Sequence, residues 1–288
     1  MRHRFDVRIG PVGFRVGSDW RAPIAALADL YRDYPKPEVA DFTVRLFAAR
    51  PWRRLVRPAV TIGGDYMLPD AAPLPLPHGL LAAEMAMNLQ LALGHRRHLL
   101  LHASAVERGG RALLMTGESG SGKSTLATVL AARGWRFMGD EFALVAPDTG
   151  AVHAFPRAIS LKNDGIAAAR AAWPHGRFGP LLAATPKGDV SHLMPPADAL
   201  ARMDVPAAPA LLLFPRFGHA AAVRSVPRSE ACVRLTQAST NYTALGEAGF
   251  VALTRLVADV PAVAIDYPDG TTACAQVEAL CRELGVGL

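Results

Sequence analysis

The sequence predicts an α/β protein with a mixed sheet, and three observations carry that expectation. Apolar runs of strand length alternate with segments of helical spacing along most of the chain. A glycine-rich loop, Gly117-Glu118-Ser119-Gly120-Ser121-Gly122-Lys123-Ser124, joins one such strand to one such helix. Hairpin signals at Gly10-Pro11, Gly109-Gly110 and Pro147-Asp148-Thr149-Gly150 add antiparallel pairs, so the sheet is mixed rather than purely parallel.

Each element follows in order. Phe5-Asp6-Val7-Arg8-Ile9 and Val12-Gly13-Phe14-Arg15-Val16 alternate apolar and polar about Gly10-Pro11, as hairpin strands do. Residues 24–34 place Ile24, Leu27, Leu30 and Tyr31 on one helical face. Residues 41–47 and 56–62 read as strands. Residues 69–77 carry four prolines, Pro69, Pro73, Pro75 and Pro77, and read as an extended linker. The apolar helix 80–93 follows. It contains Glu84 and Asn88 and is too short to span a bilayer. A boundary in the stretch 70–95 divides an N-terminal α+β region, 1–95, from a region expected to carry chemistry, 96–288.

That second region opens with residues 98–106, read as one strand. The turn at Arg108-Gly109-Gly110 leads back into the strand 112–115, then the glycine-rich loop and the helix 125–133. Gly134 stops the helix, and Trp135-Arg136-Phe137-Met138 forms the next strand. The runs 143–145, 152–155, 211–214 and 262–265 are further strands, and 273–284 is a terminal helix.

Composition bounds the function. The 288 residues allow one large domain or two smaller ones, with a core that needs no disulfides. Cys232 stands alone, and Cys274 and Cys281 are about two helical turns apart, so no bridge or zinc spacing is present. A reducing cytoplasm is the expected location. No apolar segment follows the basic start at Met1-Arg2-His3-Arg4, so no secretory signal is expected. The formal net charge is +6, and residues 1–60 hold twelve basic and six acidic residues, which accounts for the whole excess. The densest cluster is Arg50, Arg53, Arg54 and Arg57 around Trp52. A solvated face, a patch for an acidic protein partner and a nucleic-acid contact compete there. Nucleic acid ranks last, because no recognition motif accompanies the patch.

The glycine-rich loop matches G-x-x-x-x-G-K-[ST], in the strand–loop–helix context that a phosphate-binding loop requires. Its N–H groups would converge on one concavity, with the helix N-terminus adding partial positive charge. Lys123 would reach the β- and γ-phosphates of a nucleoside triphosphate, and Ser124 would hold Mg²⁺. Gly117 to Ser121, Gly122 and Thr125 complete the nucleotide-binding set. About eleven helical residues and five strand residues cover nearly equal heights, so Gly139-Asp140-Glu141 should return beside the loop. A right-handed crossover makes that strand parallel to its predecessor. One of these carboxylates could bind the metal and the other accept a proton from an attacking hydroxyl. His102, on the strand before the loop, could orient an aspartate or contact the γ-phosphate.

In this order, His102-Ala103-Ser104-Ala105-Val106, the loop, Arg133-Gly134-Trp135 and Gly139-Asp140-Glu141 resemble the kinase domain of HPr kinase/phosphorylase. They resemble the HPr-kinase-related "kinase A" group more closely. That resemblance continues through Ser160-Leu161-Lys162-Asn163, Thr185-Pro186-Lys187-Gly188, His192-Leu193, Phe214-Pro215-Arg216 and Asn241-Tyr242, and covers nearly the whole chain. It implies a P-loop kinase core of the HPr kinase and PEP carboxykinase type, with ATP and Mg²⁺. It also implies transfer of the γ-phosphoryl group to a hydroxyl, with a serine of a peptide or small protein as the preferred acceptor. Lys123, Asp140 and His102 take the catalytic positions, and Ser124, Asp140 and Glu141 the metal positions. Lys162 and Lys187 are candidate phosphate or substrate contacts. Glu141 stands where HPr kinases carry a second Asp, so the division between base and metal ligand stays open. The pattern of the loop used for phosphorolysis is not found. A PqqD-like peptide-binding partner and a homo-oligomer are expected by the same resemblance. A metabolite kinase and a nucleotide-binding ATPase or switch are the alternatives. Against the switch, the run 211–214 ends in Pro215 rather than in an acid.

Overall fold

The computed structural model describes residues 2–68 and 71–285. The chain is mixed α/β with several sheets, and it divides into two compact units. The first comprises residues 1–95 and 179–190, the second residues 96–178 and 191–288. Residues 179–190, placed by sequence with the second region, therefore pack with the first.

In the first unit, strands β1 (His3–Ile9) and β2 (Val12–Ser18) form the hairpin, paired Val7 to Phe14 and Ile9 to Val12. Helix α1 (Arg21–Leu30) crosses to β3 (Phe42–Phe47), which runs parallel to β2. Strand β4 (Ala59–Gly64) returns antiparallel, and β5 (Leu74–Pro75) closes a five-stranded sheet in the order β1-β2-β3-β4-β5. The proline-rich segment is thus not simply a linker. Leu74–Pro75 pairs on the edge of the sheet, where proline's missing N–H costs no ladder bond, and a 3-10 turn at Leu76–His78 follows. Pro69 lies outside the described residues. The strand expected at 56–62 begins only at Ala59, because a 3-10 turn at Pro51–Arg54 presents the arginine cluster first. Helix α2 (Gly79–Gly94) buries Leu80, Leu81, Ala83, Met87 and Leu91, and Tyr31 Oη donates to Glu84 Oε2 at 3.1 Å.

In the second unit, β6 (Leu99–Leu101) and β7 (Ala103–Arg108) are separate strands rather than one. The apolar run cannot show the break, because both halves are buried. Strand β6 pairs with β10 (Ala143–Val145), which also pairs with β11 (Val152–His153). Strand β7 joins the main sheet. His102, at the break, satisfies its backbone outside both ladders: its N–H donates to Ala238 O at 2.7 Å, and Thr116 Oγ1 donates to its carbonyl at 3.0 Å.

The main chain path continues through β8 (Arg111–Thr116), α3 (Lys123–Ala132) and β9 (Arg136–Gly139). Next come β12 (Ile159–Lys162) and α4 (Asp164–Ala172), then β13 (Leu182–Thr185), β14 (Gly188–Leu193) and α5 (Ala197–Ala201). The path ends with β15 (Ala208–Phe217), β16 (Ala222–Ser225), α6 (Arg228–Ala238), α7 (Tyr242–Leu245), α8 (Glu247–Asp259), β17 (Ala262–Tyr267) and α9 (Gly270–Glu283). The six-stranded sheet has the order β16-β17-β15-β8-β7-β9. Strand β9 does run in the direction of β8, but β7 lies between them, antiparallel to both.

Alternation along the strands divides two cores. Leu113, Met115, Leu211, Leu213, Ile265 and Tyr267 face α3 and α9, whereas Leu114, Leu212 and Phe214 face the side carrying α6 and α8. At the end of the sheet opposite the glycine-rich loop, Glu107 and Arg136 form a buried ion pair, and Glu107 Oε1 accepts from Gly110 N at 2.6 Å. Arg136 also donates to the carbonyls of Arg202 and Val205. Asn241 ties β6 down, accepting from Leu100 N and donating to His98 O, both at 2.9 Å. Among the described residues, no helix is long and apolar enough to cross a membrane.

Candidate functional site

Residues 117–122 connect β8 to α3, and the loop's shape depends on its glycines. Gly120 and Gly122 have φ of 85° and 93°, a region that side chains with a Cβ rarely enter. At Gly122 a Cβ would also run into Tyr267 Oη and lie 3.2 Å from Phe217 Cβ. Gly122 precedes the first helical residue, and no side chain caps the helix. Among the described residues no side chain accepts from its first-turn N–H groups, which is the arrangement that attracts anions. Lys123 is buried, and its ammonium donates to the carbonyls of Gly117 and Glu118, each at 2.8 Å. Burial pushes its pKa down, opposed by the charges of Asp140 and Glu141 and assisted by Lys162. Lys162, at the end of β12, is therefore part of the same electrostatic neighbourhood.

The acid turn follows β9. Ser124 Oγ donates to Asp140 Oδ1 at 3.0 Å, and Ser104 Oγ, from β7, donates to the same oxygen. Asp140 is 3% exposed, and its Oδ2 has no hydrogen-bond partner among the described residues. Burial raises the Asp140 pKa, the neighbouring Glu141 charge adds to this, and the two serine hydroxyls and His102 pull it back. Glu141 has φ of 72°, strained for a residue other than glycine. His102 Nδ1 lies 3.1 Å from its carbonyl and 3.7 Å from its carboxylate. The histidine thus contacts Glu141 rather than an aspartate. Thr125 packs beside the start of α4, its Oγ1 3.3 Å from where a Cβ at Gly165 would lie.

The structure therefore brings the loop, Lys123, Ser124, Asp140, Glu141, His102 and Lys162 together. Lys187 belongs to the first unit, on the turn between β13 and β14, where its backbone N–H donates to Thr185 Oγ1 at 3.1 Å. Sequence reasoning misses Ser104 as a partner of Asp140. The available signal is a lone hydroxyl in a buried strand, two residues after His102. It also misses Phe217 and Tyr267, which flank the loop from β15 and β17.

The described residues contain no group of three His, Cys, Asp or Glu able to hold a metal by themselves. One or two carboxylates, a hydroxyl and oxygens of a phosphate ligand form a different donor set, one that suits Mg²⁺. The orphaned Asp140 Oδ2 beside the Ser124 hydroxyl fits that set. In the first unit, Arg53 stacks over Trp52 at 4.6 Å, Trp20 Nε1 donates to Arg54 O at 3.0 Å, and Arg54 donates to Asp19 O at 3.1 Å. Neither Arg50, Arg53, Arg54 nor Arg57 pairs with a carboxylate among the described residues.

Comparison with known proteins gives a family model over part of the chain. The model described as SynChlorMet cassette protein ScmC matches residues 80–171, a span that includes the loop and the acid turn. A solved structure titled Hpr(Ser) kinase/phosphatase, from Coxiella burnetii, is similar at 13% identity and a TM-score of 0.29, covering 64% of this chain and 88% of that one. No curated protein matches the chain.

Proposed function

We propose that the chain is an ATP-dependent phosphotransferase that moves the γ-phosphoryl group to a hydroxyl, preferably a serine of a peptide or small protein. The observation that supports this most directly is the 3.0 Å bond from Ser124 Oγ to Asp140 Oδ1, which joins the end of the glycine-rich loop to a buried acid. In this reading residues 96–288 form a P-loop kinase core of the HPr kinase type. The loop N–H groups and the α3 N-terminus hold the triphosphate, and Lys123 and Lys162 offset its charge. Ser124 and one of the carboxylates Asp140 and Glu141 would hold Mg²⁺, which when bound would neutralise charge on the phosphates. The other carboxylate accepts the hydroxyl proton as the acceptor oxygen bonds to the γ-phosphorus and the bond to the β-phosphate oxygen breaks, releasing ADP. A carboxylate raised by burial suits that role. His102 holds the Glu141 turn.

Residues 1–95 supply the arginines around Trp52, which pair with no carboxylate among the described residues and offer a surface for an acidic partner, and so for a protein acceptor or a PqqD-like carrier. A cytoplasmic homo-oligomer remains part of the proposal. The test is incubation with γ-labelled ATP and, in parallel, serine peptides, free serine and sugars, and no acceptor. Label on a peptide supports the reading, label on a small molecule replaces the acceptor class, and release to water alone in every case contradicts it.

A further inference from the structure

The loop has an aromatic neighbour that phosphate binding does not use. Phe217 ends β15 and is 54% exposed. Its backbone N–H donates to Ser121 O at 3.2 Å, and its Cβ lies against Gly122, so it is fixed to the loop itself. It pairs in register with Tyr267 of β17, with ring centroids 5.9 Å apart, and the Tyr267 hydroxyl reaches Ser121 O at 3.4 Å. Leu211, Leu213 and Tyr267 belong to the core face that carries α3. Alternation along β15 puts Phe217 on that same face, at the end of the strand, beside the α3 N-terminus. Arg216 takes the opposite face and pairs with Asp266.

The direction of a bound nucleotide follows from sheet order. Asp140 and Ser104 lie on the β7 and β9 side of β8, and Ser124 bonds to Asp140 there. The γ end of a triphosphate points to that side, since the lysine and hydroxyl of such a loop serve the β- and γ-phosphates and the metal. The nucleoside end leaves on the other side, and β15 is the strand there. An exposed phenyl ring, anchored to the loop and backed by a second aromatic ring, is a stacking surface for a planar base.

We infer that Phe217 is the stacking platform for the nucleobase of the triphosphate substrate. This rests on the nucleotide reading above and extends it from the phosphates to the base. A phenyl face accepts purines by stacking strength rather than by hydrogen-bond pattern. The platform therefore favours purine over pyrimidine triphosphates.

The test titrates the full chain, in the presence of Mg²⁺, with ATP and with inorganic tripolyphosphate. Wild type should bind ATP more tightly than tripolyphosphate. Phe217→Ala should weaken ATP binding by roughly 5- to 100-fold and leave tripolyphosphate binding unchanged. Phe217→Trp, which keeps a flat ring, should retain ATP affinity and show fluorescence quenching by ATP but not by tripolyphosphate. Unchanged ATP affinity in Phe217→Ala overturns the inference, and so does equal loss of both ligands, which would make Phe217 a loop support. If Phe217→Ala does not fold, the Phe217→Trp quenching comparison decides alone. Wild type binding neither ligand defeats the nucleotide reading itself.

Discussion

Ser124 Oγ and Asp140 Oδ1 lie 3.0 Å apart across sixteen residues of chain. A helix, a left-handed glycine at Gly134 and one strand bring them together. The strand β9 is separated from β8 by β7, and β7 contributes Ser104 to the same carboxylate oxygen. One acid is thereby held by hydroxyls from a helix start and from a strand, while its second oxygen keeps no partner among the described residues.

Lys123 is the cation closest to the loop carbonyls, so its loss should remove triphosphate affinity. Wild type at ATP a hundred times its Kd should gain about 2.7 kcal/mol of stability. Lys123→Met should show no ATP-dependent rise in Tm, while its Tm without ATP stays measurable by the same thermal scan. An equal ATP-induced rise in both proteins would remove Lys123 from the site.

Gly122→Ala should damage the loop through two causes. The left-handed backbone costs an alanine about 1–2 kcal/mol, and the methyl group meets Tyr267 and Phe217. ATP affinity should fall about tenfold or more, a loss of about 1.4 kcal/mol or greater. Gly110→Ala is the control. It has φ of 77° but nothing within 4 Å of the added carbon, at the far end of β8, so titration should find ATP affinity unchanged.

The loop and the acid turn are legible in the sequence because each is a local pattern. Gly120, Gly122 and Lys123 sit at fixed spacing, and helix and strand rises suffice to return Asp140 to their level. What is not legible depends on distant pairing. Nothing in residues 98–106 marks His102 as a break, since the partner that accepts its N–H, Ala238, is far along the chain. The insertion of β7 between β8 and β9 is a choice of neighbour that apolar runs cannot encode. Phe217 escapes notice because its meaning comes from contact with Ser121 and Gly122, not from its place in an apolar strand.

Glu107 gives a pH-dependent prediction away from the site. Burial alone would raise its pKa, but the Gly110 N–H and the Arg136 and Arg202 guanidinium groups hold it below the ordinary range. A carboxyl lowered by folding stabilises the native state above its unfolded pKa, about 4.3 for Glu, and that contribution is lost as pH falls through the folded value. Glu107→Gln should cost about 3–5 kcal/mol at pH 7, because Arg136 stays buried without its countercharge. Urea denaturation should show the difference from wild type narrowing as pH drops below about 4.3. A constant difference across that range would contradict the assigned ion pair.

Phosphoryl transfer by Asp140→Asn, with γ-labelled ATP and the best serine peptide and with ATP binding measured on the same sample, decides whether the buried acid serves a kinase reaction. ATP should still bind while label on serine falls by about a hundredfold or more. Undiminished transfer to serine in Asp140→Asn, or label released only to water by the wild type whatever acceptor is present, would contradict it.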